Sequence, residues 1–456
     1  MIAKWQRIGV ILGLLAVSLG ASRATAQPVQ SAPAVPTVVP SAAPAVPATA
    51  APPTPTAAPG LVYTSEDGQY QLRANLWLQA LARFGVDDTA GQQTDTFSLR
   101  RVRPRFEGTL FGRLDFLFML EAGGEGRVAL FDAYADLRIV PELHLRFGKQ
   151  KQPFSLDRLQ GFPMLPMVER TFGSMIGPNR DLGIVAWGEL FGGALVYQVG
   201  LFNGVPDGQN AQEDLDDGKD VVGRVLFRPL HASETSPLRK LAIGAAASYG
   251  RAHGVDGESG SAALQTPTYT TPGRARMFAY NSASESESGR VAAVFADGER
   301  RRLEVDGYWY WDRLSFFGEL VQTRNSYRAP GVTDTISSTV TAWDLMIAFV
   351  LTNDSSSYER GVEAHAPIDP AHGHWGAVEV AARVQGFHVD AAAFPQLANL
   401  ASSVSYALNT GVSLNWTLNR HLRLQLDLER TTFRHGASTG DRPTETLAIV
   451  QMTLRT

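Results

Sequence analysis

Between Phe97 and Ser155 the chain alternates with a period of two. Arg101, Arg103, Arg105, Glu107 and Thr109 occupy one parity, and Val102, Pro104, Phe106, Gly108 and Leu110 the other. Successive side chains of a strand point to opposite faces, so this stretch predicts a strand with one charged and one apolar face. Leu114, Phe116, Phe118 and Leu120 alternate in the same way with Asp115, Leu117, Met119 and Glu121. Phe131, Ala133, Ala135, Leu137 and Ile139 alternate with Asp132, Tyr134, Asp136 and Arg138, and Leu143, Leu145 and Phe147 with His144, Arg146 and Gly148. Such alternation suits a sandwich with a wet outer face or a membrane barrel with an apolar outer wall and a watery lumen. Arg, Asp and Glu laddered opposite aromatics favour the barrel, since a sandwich scatters Lys, Glu and Thr over its solvent face.

The rest of the chain extends the pattern. Sixteen strands are predicted, at 70–84, 96–110, 114–122, 128–139, 142–149, 181–188, 193–202, 220–228, 240–251, 301–311, 314–325, 338–351, 374–390, 403–416, 421–433 and 443–455. Tight connections at 111–113, 140–141, 190–193, 311–313 and 418–421 alternate with long ones at 85–95, 149–180, 203–219, 252–300, 326–337, 391–402 and 434–442. Bacterial outer-membrane barrels show this alternation, with short periplasmic turns and long outer loops. The exception is 352–373, a long connection where a tight turn is due. The expected fold is therefore all-β, a 16-stranded antiparallel transmembrane β-barrel, a size that encloses an aqueous channel rather than a packed interior.

Composition supplies the address. Met1 to Ala26 carries Lys4 and Arg7, an apolar run from Ile8 to Leu19, and Ala24-Thr25-Ala26 before Gln27. The run is too short to span a bilayer and the small residues suit cleavage, so 1–26 reads as a signal peptide. Its removal leaves 38 basic against 45 acidic residues, a net charge of −7, which gives no bulk basicity for nucleic acid. No later apolar stretch reaches the length of a membrane helix. Cysteine is absent, which excludes disulfides, thiolate metal sites and cysteine catalysis. Residues 27–60 hold ten Pro, ten Ala and no charge, a periplasmic disordered linker able to reach on the order of 100 Å. It reads equally as a spacer to something periplasmic or as an inert leader. The barrel is expected over 61–456.

Several motifs in this order carry a family resemblance. They are Arg100-Arg101 with Phe106 to Gly112, Asp132-Ala133-Tyr134, Leu145 to Ser155 (LRFGKQKQPFS), Val168-Glu169-Arg170, Gly177 to Gly183 (GPNRDLG), Gly200 to Gly204 (GLFNG) and His374 to Arg383 (HWGAVEVAAR). The chain resembles the phosphate-selective porin O and P family across essentially all of Leu61 to Thr456. The resemblance implies a homotrimeric, sixteen-stranded channel in a Gram-negative outer membrane, in contact with lipid and lipopolysaccharide. It also implies a third loop folded into the lumen, and arginines and lysines that draw small anions, phosphate-type anions among them, through the pore. Two features depart from the family: the last strand ends in Thr456 rather than an aromatic residue, and Pro104 withholds a donor in a closed sheet, for which a local kink is expected.

The candidate pore-lining and anion-binding residues are Arg73, Arg101, Arg103, Arg105, Arg146, Lys149, Lys151, Arg158, Arg170 and Arg180. Arg101, Arg103 and Arg105 share a face beside Arg73 and Arg146, and the resemblance makes this an arginine ladder along which an anion hops. Lys149, Lys151, Arg158, Arg170 and Arg180 belong to the 32-residue stretch 149–180, long for an idle connection. Arg170 and Arg180 serve equally well to pair with wall carboxylates and pin the loop. Glu107, Asp115, Glu121, Asp132 and Asp136 stand on the ladder's parity and oppose its charge.

Other clusters carry less. Glu213, Asp214, Asp216, Asp217 and Asp220 read as a solvated acidic loop, because Gly218 comes too early for a calcium loop. His365, His372 and His374 fit no zinc spacing, and no metal or other cofactor is expected. No nucleophile elbow, phosphate loop or zincin helix occurs. The reading is a porin for passive diffusion, not an enzyme. A structural barrel anchoring the tether and a barrel-embedded hydrolase are the alternatives.

Overall fold

The computed structural model describes residues 60–456 other than 87–94, 125–127, 212, 213, 215, 256–263, 287 and 288. The signal peptide, the linker up to 59 and Glu213 of the acidic cluster lie outside the described residues.

Sixteen antiparallel strands form one closed barrel, each paired with its sequence neighbours. They are Gln71–Gly85 (β1), Thr96–Leu110 (β2), Leu114–Glu121 (β3), Ala129–Val140 (β4), Leu143–Lys151 (β5), Arg180–Leu190 (β6), Leu195–Phe202 (β7) and Asp220–Phe227 (β8). Leu241–His253 (β9), Phe295–Trp311 (β10), Leu314–Arg328 (β11), Ile336–Val350 (β12), Ala377–Val389 (β13), Val404–Thr417 (β14), Leu422–Ala437 (β15) and Glu445–Arg455 (β16) complete it. Every strand expected from alternation is present. The largest boundary change is β10, which begins at Phe295 instead of 301.

β1 pairs with β16 from Trp77–Arg455 to Gly85–Leu447, so the sheet has no free edge. Below that, a short strand Leu61–Thr64 covers the start of β1 where β16 has ended. Closure pairs the strands' backbone groups with one another, as hydrocarbon requires. The side chains segregate accordingly: on β10, Leu303 and Val305 are 58% and 57% exposed, while Arg302 and Glu304, which alternate with them, are 1% and 2% exposed.

Two irregularities reshape the charged strand. Gln79 pairs with Arg101 but Ala80 with Leu99, so Arg100 is the extra residue of a β-bulge and the strand's parity flips there. Phe97 and Leu99 accordingly face outward with Arg101 and Arg103 facing in. Pro104 lies one residue beyond the Arg105–Met119 pair, the last in the β2–β3 ladder, while its β1 register runs uninterrupted through Leu76. The missing donor falls where the β3 register stops, and beyond it Ala122 N–H donates to Val102 O at 2.8 Å. Val102 N–H, next along that edge, donates to the Glu121 side chain at 3.1 Å.

The long loops pack against one another. Phe154, Phe172, Ile176, Tyr269, Phe278, Tyr327, Phe387 and Leu397 belong to one buried apolar cluster that joins the 152–179, 254–294 and 390–403 connections to the wall. At the other end, 351–376 forms a hairpin, Ser355–Ser357 with Gly361–Glu363, which accounts for its unexpected length. The β8–β9 connection at 228–240 is also longer than a tight turn. Contrary to the expectation from sequence, Asp220 does not belong to a solvated acidic loop. It opens β8 fully buried, bonded to Arg300 at 3.0 Å and Arg302 at 3.1 Å.

Candidate functional site

β5 ends at Lys151 after Gly148, whose φ of +123° and whose close approach to Ala133 O leave no room for a side chain. The chain then leaves the wall and, between 152 and 179, forms two short helices, Leu156–Leu159 (α1) and Phe172–Ile176 (α2), capped by Ser155 and Thr171. The segment hydrogen-bonds to five strands far around the barrel. Ser155 and Leu156 N–H donate to Glu304 on β10 at 2.7 and 2.8 Å, and Asp157 N–H to Glu319 on β11 at 3.1 Å. Phe172 N–H donates to Gln385 on β13 and Val168 N–H to Asp427 on β15. Asn415 of β14 and Arg423 of β15 return donors to the carbonyls of Pro166, Pro163 and Leu165.

Between this segment and the wall formed by β1 to β7 lies a cavity of about 780 Å³. Its cations are Arg100, Arg101, Arg103, Arg105, Arg146, Lys151, Arg158, Arg170, Arg180 and Arg274, against two carboxylates, Glu121 and Asp132. Eight of the ten residues expected from sequence meet here. Arg73 does not: it sits 3.7 Å from Glu107 near the turn end. Lys149 does not either: it is buried on a rung with Ala133 and Leu182, and it is not among the residues that line the cavity.

Aromatic rings hold the guanidiniums. Phe162, from the 152–179 segment, stacks on Arg101 at 4.9 Å and on Arg103 at 4.7 Å. Phe131 takes the other side of Arg103 at 4.1 Å and also Arg180 at 3.7 Å, while Trp77 stacks on Arg105 and Tyr134 on Arg146. A stacked guanidinium keeps its plane fixed with its N–H edge free for an anion.

Carboxylates fix the same side chains. Glu121 bonds Arg103 at 2.6 Å, Asp136 bonds Arg146 at 2.6 Å, and Glu107 bonds Arg105. Asp132 grips Arg180 with both oxygens, at 2.9 and 3.0 Å, so Arg180 pins the segment's C-terminal end. Arg170 pairs with Asp157 of its own segment rather than with the wall. Lys151 donates to the carbonyls of Arg158, Leu159 and Gln160 and so caps the end of α1. Glu169 bridges Arg83 at 3.0 Å and Arg100 at 2.8 Å. Burial alone would raise its pKa, but Arg100, Arg274, Arg83 and Arg101 hold it down to about 2.

Sequence reasoning misses Arg100 and Arg274. The bulge hides the first from a parity argument, and the second stands on the 254–294 connection with no periodicity to place it. His365 bonds Asp354 and His372 bonds Asp369. Among the described residues, no three His, Asp or Glu side chains group as metal ligands.

A closed sixteen-stranded barrel, apolar outside and with a cation-lined hollow, defines the class of outer-membrane porins. The family model for phosphate-selective porin O and P matches residues 71–453, and the chain belongs to that family. The fold is similar to OmpT, an outer membrane protein of Vibrio cholerae, at 9% identity and a TM-score of 0.55, over 87% of this chain and 100% of that one. It is similar to the outer membrane channel DcaP of Acinetobacter baumannii at 10% identity and a TM-score of 0.54, over 86% and 99%. Salmonella typhi OmpF, solved with daunomycin, aligns at 11% identity and a TM-score of 0.50, over 87% and 100%. No curated protein matches the chain. The chain is thus an outer-membrane porin of a Gram-negative bacterium.

Proposed function

We propose that the chain conducts small hydrophilic anions by passive diffusion, with the 152–179 segment folded into the lumen as the constriction. The single observation that carries this reading is the ten-to-two excess of cations around the cavity. A pore that selects anions needs several modest cationic sites, so that an ion hops instead of being trapped. Arg101, Arg103, Arg105 and Arg146 supply rungs on the wall, and Arg158 and Arg170 face them from the segment. Arg100 and Arg274 add charge, and Arg180 and Lys151 fix the segment in place. Arg73 and Lys149 act only from outside the cavity. Phosphate-type anions fit the bidentate habit of guanidinium.

In this reading residues 1–26 are a cleaved signal peptide, 27–60 a periplasmic linker and 61–456 the barrel, which works as a homotrimer among outer-membrane lipid and lipopolysaccharide. It has no cofactor, no nucleic-acid partner and no catalytic turnover. Planar-bilayer recording tests it: stepwise conductance is expected, and a purely structural barrel gives none.

A further inference from the structure

Opposite the arginine wall stands a wall of carboxylates. β10 to β15 present Glu304, Glu319, Asp344, Glu379, Asp427 and Glu429 to the buried side, each 4% exposed or less. Arg224 pairs with Glu304, Arg383 with Glu429, and Arg423 approaches Glu379 at 3.8 Å. Glu319, Asp344 and Asp427 form no salt bridge with a described residue. Asp157 N–H and Val168 N–H instead donate to Glu319 and Asp427, at 3.1 and 2.7 Å. One oxygen of Glu319 and both of Asp344 are buried without a hydrogen-bond partner among the described residues. Gly173 of α2 presses so near that an added Cβ would lie 3.2 Å from Glu319 Oε1. The segment therefore covers this wall, while its other side, with Arg158, Phe162 and Arg170, faces the open cavity.

We infer that the 152–179 segment strengthens anion preference by sequestering a carboxylate wall, so that the same barrel without the segment is a more weakly anion-selective pore. The inference rests on the anion-conducting reading above. Its physical basis is exclusion of water. A carboxylate sealed from the conduction path contributes little to an ion's energy there, whereas one lining a water-filled lumen attracts cations. Removing the segment would take Arg158 and Arg170 out of the passage and uncover six carboxylates together. Both changes act in the same direction.

The test uses the full chain in planar bilayers under a potassium chloride gradient, alongside a variant in which 156–176 is replaced by a short Gly/Ser link. Both channels are expected to reverse on the chloride side of zero, the shortened one closer to zero. Glu319→Gln with Asp427→Asn keeps an acceptor for each backbone N–H. In the intact channel this pair should leave the reversal potential unchanged, and in the shortened channel it should move it back toward that of the unaltered channel. A shortened channel whose chloride preference is undiminished overturns the inference, as does an intact double variant with strengthened chloride preference. The second arm decides even where the shortened chain does not insert. An unaltered channel that prefers potassium would instead overturn the anion-conducting reading itself.

Discussion

On the proposed reading, Arg103 is a side chain positioned for conduction. It is 7% exposed, bonded to Glu121 at 2.6 Å and stacked between Phe131 and Phe162, so its guanidinium is held rigid beside the passage. Arg103→Gln removes a positioned charge and should lower the anion-to-cation permeability ratio severalfold, about 1 kcal/mol at the constriction. A ratio unchanged in bi-ionic recordings would remove Arg103 from the conduction path. Glu169 acts on the segment instead. Its pKa is depressed to about 2, so its contribution is complete above the ordinary carboxylate value near 4.5 and is lost as pH falls through about 2. The constricted conductance is therefore expected to hold from neutral pH to about 4 and to become unsteady only as pH nears 2. Glu169→Gln should bring that unsteadiness to neutral pH, since removing one partner of a buried ion pair costs roughly 3–5 kcal/mol. At this scale Arg101, Arg103 and Arg105 were legible, because alternation alone separates inward from outward side chains. Arg100 was not, because one inserted residue reverses the parity and nothing in the local composition announces it.

At the scale of elements, the strands follow from a period of two that persists along nearly every segment and from the turn residues that interrupt it. What alternation cannot place is a connection that owes its shape to distant partners. The 351–376 connection is the plainest example. Its hairpin lies against α1 because the Tyr358 hydroxyl donates to Leu156 O at 2.8 Å, Gln160 donates to Tyr358 O at 2.8 Å, and the Tyr358 ring stacks on Tyr308. The partners are some 200 residues apart in sequence. Tyr358→Phe deletes one such bond, a loss of about 1 kcal/mol, and should raise open-channel noise while leaving the thermal unfolding of the barrel nearly unchanged. Noise equal to that of the unaltered channel would show that the hairpin does not support the segment. Phe162→Ala releases both Arg101 and Arg103 from their ring and should widen the passage, seen as increased single-channel conductance with weaker anion preference.

At the scale of the molecule, closure and segregation explain both insertion and conduction. Paired backbone groups leave nothing for hydrocarbon to punish, and apolar side chains face it. Inside, the filling is uneven. Apolar packing among the long loops and the carboxylate wall occupies one side, and the cation-lined hollow is confined to the side of β1 to β7. Charge alternation along β2 foretold a wet interior, but only the fold reveals that the opposing carboxylates are paired or covered. Because the passage selects by charge, its preference should weaken as salt rises toward 1 M, where the screening length falls to about 3 Å.

The most direct test is the reversal potential of the single channel in a tenfold potassium chloride gradient at low ionic strength. The account predicts stepwise conductance whose reversal potential lies toward the chloride equilibrium potential. Absence of conductance, or reversal toward the potassium equilibrium potential, would contradict it.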